Sequence, residues 1–78
     1  MTIKIPKYYM RKVYFAERGA RGWGVGSGYL LAEYENHIER RYIVTLGDIT
    51  SCVVRHVTEY ALNKREAWAS IADKTDDD

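Results

Sequence analysis

The chain is 78 residues long, 46% hydrophobic and 29% charged, with a net charge of +1. That balance describes one folded domain and excludes a disordered chain, and no apolar run approaches the roughly 20 residues of a membrane span. Cys52 is the sole cysteine, so an internal disulfide is excluded and a domain this small must hold by packing alone or with a partner.

No signal-peptide core is present at the N-terminus, where Lys4 and Lys7 interrupt the apolar residues, and a cytoplasmic protein is expected. Residues 1–7 read as a lead-in, with Pro6 biasing Ile5 away from helix. Tyr8 to Glu17 is rich in aromatic and β-branched residues and predicts the first strand. Gly19-Ala-Arg-Gly22 supplies a turn. A second strand follows from about Trp23 to Glu35, a second turn over residues 35–39 around Asn36, and a third strand from Arg40 to Leu46.

Glycines occupy every second position from Gly22 through Gly24 and Gly26 to Gly28. A period of two is the strand period, so all four lie on one face, where bulky groups can approach the backbone closely or the backbone can bend. At least one of them is expected to occupy a place that a side chain would forbid.

The even positions Leu30, Ala32, Tyr34, Tyr42, Val44 and Leu46 form the better core face. A register with Tyr34 opposite Arg40 keeps them together and sets Glu33 opposite Arg41. Gly47-Asp48 then stops the sheet. From Ile49 the period changes: Ile49, Val53, Val57, Tyr60 and Ala61 fall on one helical stripe, capped by Asp48 or Thr50. Asn63-Lys-Arg-Glu66 has capping-box spacing and predicts a second short helix over 64–73; one long helix over 50–73 is the alternative.

The expected fold is α+β: a three-stranded antiparallel meander, with the C-terminal helical segment packed on the Leu30/Tyr34/Tyr42/Val44 face. Val53, Val57, Tyr60 and Trp68 are expected to be buried there. Residues 1–73 form a single small domain, and the acidic tail 74–78 is expected to be disordered.

One helix covers one sheet face. The other face then exposes Trp23, Val25, Tyr29, Leu31 and Ile43, and soluble monomers rarely leave such a patch unused. Tyr, Trp and Arg are the residues enriched at binding hot spots. Arg21, Trp23, Tyr29, Leu31, Arg41 and Ile43 are therefore the expected partner-binding residues.

Chemistry is sparse. The glycine run lacks the spacing of the dinucleotide fingerprint and the Gly-Lys-Ser/Thr of a P-loop, so no cofactor is expected. Cys52 and His56 lie four apart on the expected helix, but a metal needs two further ligands, and Cys52 is expected to be a buried small hydrophobe. Glu33, Glu35 and Glu39 read as a solvated edge. No catalytic set emerges, and no enzyme is expected.

Charge is uneven: residues 1–21 carry six Lys/Arg against Glu17, whereas the tail ends in three aspartates. Arg21-Gly-Trp-Gly-Val25 resembles the Lys-Gly-Phe-Gly-Phe strand motif of cold-shock domains and the opening of the RRM motif, with Val25 in place of a second aromatic. That resemblance implies single-stranded RNA or DNA binding through Arg21, Trp23 and nearby tyrosines. In general style the chain resembles small phage accessory proteins, among them anti-CRISPR inhibitors. That resemblance implies steric blocking of a host protein or nucleoprotein complex. A third reading buries the spare face in a homodimer. The protein-binding reading leads.

Overall fold

A computed structural model describes residues 2–75. The elements run β1 (Thr2–Lys4), β2 (Lys12–Gly19), β3 (Gly22–Glu35), β4 (Arg40–Thr45), β5 (Val54–Val57) and α1 (Lys64–Thr75). The fold is α+β, with a curled antiparallel sheet of five strands rather than a three-stranded meander. The 14-residue β3 is its spine. The first half of β3 pairs with β2, and its second half lies between β1 and β4; β5 then pairs with β4. The curl closes where Tyr14 and Ala61 exchange both backbone hydrogen bonds, at 2.8 and 2.7 Å.

Alternation along the strands sets the inside. Val13, Phe15, Leu30 and Val44 are at most 1% exposed and form the core, with Tyr8, Tyr42, Val57, Tyr60 and Leu62 packed against them. Full burial of such side chains contributes roughly 1.5–3 kcal/mol each. Val13 lies opposite Gly28 and Phe15 opposite Gly26, so the glycine face is the inner face. A Cβ on Gly26 would stand 2.8 Å from the Phe15 ring, and one on Gly28 would stand 1.7 Å from the Thr45 carbonyl oxygen. The absent side chains give Phe15 its place and let the end of β4 run against the backbone of β3.

Both turns follow their chemistry. Gly22 adopts φ +108° after the two-residue Ala20-Arg21 link, a conformation that favours glycine. The Asn36 side-chain oxygen accepts the N–H groups of Ile38 and Glu39 at 2.8 and 2.9 Å and closes the β3–β4 turn.

Several expectations are overturned. Tyr8 to Arg11 is turn, not strand, and the first long strand starts at Lys12. The register is the expected one at Leu30, which faces Val44, but a bulge lies between Leu30 and Ala32. Beyond it Tyr34 faces Arg41 and Glu33 faces Tyr42, one residue off the expected pairing.

The predicted helix over 49–62 is absent, and with it the single helix over 50–73: residues 54–57 are β5. Val53-Val-Arg-His-Val-Thr58 is dense in β-branched residues, and the free edge of β4 offers them a backbone partner. Ser51 and Asp48 also bond locally to the backbone of Val53 and Thr50, which competes with helix. Val53 is 56% exposed and Leu46 is exposed, whereas Val57 and Tyr60 are half-buried as core neighbours.

The short helix over 64–73 is observed and extends to Thr75, which takes in the first two residues of the expected tail; residues 76–78 lie outside the described residues. The Asn63 side chain accepts the Glu66 N–H at 2.9 Å, as the capping box requires. The helix contacts β2 and β3. Ala67 and Ile71 are buried but stand apart from the Val13/Phe15/Leu30/Val44 cluster, and Ala67 lines a small cavity with Tyr14, Phe15, Ala16 and Tyr60. The helix therefore lies on the outer face of the β2–β3 hairpin, not on the Leu30/Val44 face. It buries Ala67 and Ile71 and leaves Trp68 51% exposed.

The glycines separate by their surroundings. Gly28→Ala should destabilise by at least about 2 kcal/mol in urea unfolding, since backbone must move to admit the methyl group. Gly24→Ala, with nothing within 4 Å of its Cβ position, should be neutral or gain up to about 0.5 kcal/mol from a less flexible unfolded chain.

Candidate functional site

The helix leaves the outer face of β1, the second half of β3, β4 and β5 uncovered. Tyr42 and Val44 point inward, so Arg41 and Ile43 point outward, and register carries the face across the strands. One row runs Ile3–Tyr34–Arg41 and the next Ala32–Ile43–His56. Ile3 is 62% exposed, Tyr34 and Ile43 are half-buried, and Val54 on the same strand as His56 is 49% exposed.

The six residues expected from the sequence divide between two parts of the outer surface. Arg21 is exposed on the β2–β3 turn. Trp23 is half-buried on the hairpin face that carries the helix, with the Arg18 guanidinium 5.6 Å from its ring centroid and its indole N–H buried without a hydrogen-bond partner. Tyr29 is half-buried opposite Lys12, and its N–H donates to Thr45 Oγ1 at 2.8 Å. Leu31 is half-buried at the bulge. Arg41, 3.0 Å from Glu39, and Ile43 belong to the open face. Sequence reading missed Ile3, which it placed in a lead-in, and Tyr34, which it placed in the core. The bulge turns Tyr34 outward, and no alternation count reveals a bulge.

Charged groups close both ends of the curl. At one end Arg55 Nη1 on β5 lies 2.7 Å from Glu17 Oε1 on β2. At the other, Lys4 and Arg40 flank Glu33 and Glu35: Lys4 Nζ is 3.4 and 3.3 Å from them, and Arg40 Nη2 bonds both Glu35 oxygens at 3.3 Å. These glutamates are thus ion-paired rather than a merely solvated edge. The Arg40 and Lys4 hydrogen bonds hold the Glu35 carboxyl below the usual range, and Glu35 in turn raises Lys4. Glu59 is lowered by its hydrogen bonds from Lys74 and Ser70. Tyr60 is raised chiefly by burial, with Tyr42, packed edge-on at 4.8 Å, adding to it.

Cys52 is exposed in the β4–β5 loop, not buried, and His56 is on β5, so no helix brings the two together. Among the described residues no group of three or more His, Cys, Asp or Glu could hold a metal ion. No helix among them is long and apolar enough to cross a membrane. No protein-family model matches the chain, and no curated protein or solved structure matches it at a significant level.

Glu59 and Glu35 are depressed acids, so the stability they add is present above the unfolded carboxylate pKa and is lost as pH falls through their lower folded values. Unfolding midpoints should therefore drop below about pH 4.5. Glu59→Gln should flatten that part of the profile and leave the plateau at pH 7 slightly lower; an unchanged acid limb would refute the assignment to Glu59.

Proposed function

We propose that the chain is a non-enzymatic macromolecule-binding protein that docks its open sheet face, centred on Tyr34 and Ile43, on another protein. The observation that carries this reading is the pair of adjacent rows, Ile3–Tyr34–Arg41 and Ala32–Ile43–His56, on the face that α1 leaves bare. Apolar area of that kind on a small domain is an interaction surface more often than an accident. On that face Arg41 is ion-paired with Glu39 at 3.0 Å, and at the same end of the sheet the inward carboxylates of Glu33 and Glu35 are paired with Lys4 and Arg40. Mixed charge there suits a protein surface with its own paired charges and opposes a polyphosphate chain.

In its narrower form, the reading makes the protein a cytoplasmic steric inhibitor of a host nucleoprotein complex. This is the manner of the small phage accessory and anti-CRISPR proteins that it resembles in size, cysteine poverty and lack of catalytic motifs. Trp23 and Tyr29, on the hairpin, serve as supports rather than as the centre of the contact.

Tagged wild-type protein and a Tyr34→Ala/Ile43→Ser variant, each applied to extract of the native host and compared by quantitative mass spectrometry, test this. Truncation of interface centres commonly costs about 2 kcal/mol or more, so the variant should retain its partner at least about 30-fold less well while its circular dichroism stays native. Cys52→Ser should bind as wild type. Equal capture by the folded double variant, or loss of function in Cys52→Ser alone, overturns the reading.

A further inference from the structure

The segment between β1 and β2 carries a second, separate surface. Two successive turns build it: the Tyr9 N–H donates to Pro6 O at 3.2 Å and the Arg11 N–H to Tyr8 O at 3.0 Å. Met10 adopts φ +65°, a left-handed conformation that a methionine rarely takes. Bonds from Met10 N–H to Leu30 O (2.7 Å) and from Leu30 N–H to Arg11 O (3.1 Å) clamp the turns to β3. The segment is held in shape by backbone and by Tyr8, which packs against the core, while Lys7, Tyr9, Met10 and Arg11 are exposed.

Those side chains are cations interleaved with tyrosines. Lys7 Nζ and the Arg11 guanidinium each lie 5.5 Å from the Tyr8 ring centroid, and Lys12 Nζ lies 5.9 Å from that of Tyr14. Lys4, Arg40, Arg41, Arg55 and Lys74 are ion-paired with carboxylates; among the described residues, none is within salt-bridge distance of Lys7, Arg11 or Lys12. Tyr9 is 51% exposed. Lys7, Arg11 and Lys12 thus set three positive charges without a carboxylate partner beside aromatic rings within one short stretch of chain, whereas the other cations without one among the described residues, Arg21, Lys64 and Arg65, lie elsewhere.

We propose that Lys7–Tyr14 binds a single-stranded nucleic acid, with Lys7, Arg11 and Lys12 on its phosphates and Tyr9 stacked on a base. Phosphates take cations without local acids; exposed rings take unstacked bases, which a duplex does not offer. The same cations would attract an anionic membrane, but Ile5, Tyr9 and Met10 are few apolar residues for an interfacial anchor. The inference does not rest on the open sheet face. It differs from the cold-shock-like reading, which centres on Arg21 and Trp23.

The test is fluorescence anisotropy with a labelled oligothymidylate of about 15 nucleotides, titrated across salt. Wild type should bind at about 50 mM salt with a log–log salt slope near −2, about −0.7 for each of three phosphate contacts. Lys7→Gln/Arg11→Gln/Lys12→Gln should lose at least about tenfold in affinity and most of that slope. Tyr9→Ala should lose at least about fivefold with the slope unchanged. Arg41→Gln, on the open face, should bind the oligonucleotide as wild type, which separates failure here from failure of the protein-docking reading. No binding by wild type, full binding by the folded triple variant, equal affinity for duplex or heparin, or tighter binding to phosphatidylserine vesicles would each overturn the proposal.

Discussion

The fold depends on the absence of side chains along the inner face of β3. Phe15 fills the volume that a Gly26 side chain would take, and the Thr45 carbonyl occupies the position of a Gly28 Cβ. A strand with ordinary residues there would keep its neighbours a side chain away and stay open. With glycines, β3 curls tightly enough for the segment after β5 to reach Tyr14 and close the sheet. Glycine is unfavourable in strands because it orders more backbone and packs nothing. The close packing of Val13, Phe15, Leu30 and Val44 offsets that cost, and no disulfide is needed to hold so small a core.

Closure also explains how charge is arranged. A short, curled sheet has two open ends, where inward-pointing residues meet water. Glu17 and Arg55 share one end, and Glu33 with Lys4 and Arg40 the other. Inward positions at the ends can carry charge when an opposite partner stands across the opening, and exposure keeps their desolvation small. The middle of the same face is filled by Val13, Phe15, Leu30 and Val44, with tyrosines packed around them.

Two surfaces remain once core and helix are accounted for, and they differ in chemistry. The open sheet face joins Ile3, Tyr34 and Ile43 to the paired charge of Arg41 and Glu39. The β1–β2 segment joins unbalanced cations to tyrosines and almost no acid. A binding protein aimed at a nucleoprotein assembly would have use for both: one face fits a folded surface, the other a polyanion. Each is displayed by backbone that the core holds still, the sheet by its ladders and the turns by their clamp to Leu30.

Local chemistry determined much of this from the sequence alone. Alternating apolar residues define β2, β3 and β4; Asn36 and Gly22 define their turns; Asn63 with Glu66 defines the start of α1; the glycine period of two predicts close approach. Each is written in residues adjacent in the chain. Tertiary structure decided the rest. Val54–Val57 became a strand because β4 had an unpaired edge, although its apolar spacing also fits a helix. The bulge before Ala32 reversed the faces of Glu33 and Tyr34, which moved a tyrosine from the expected core to the candidate surface. The helix settled on the outside because glycines had already let the sheet fill its own interior. None of these outcomes has a local signature: backbone pairing and volume are settled between segments distant in the chain, whereas periodicity and caps are settled within a few residues.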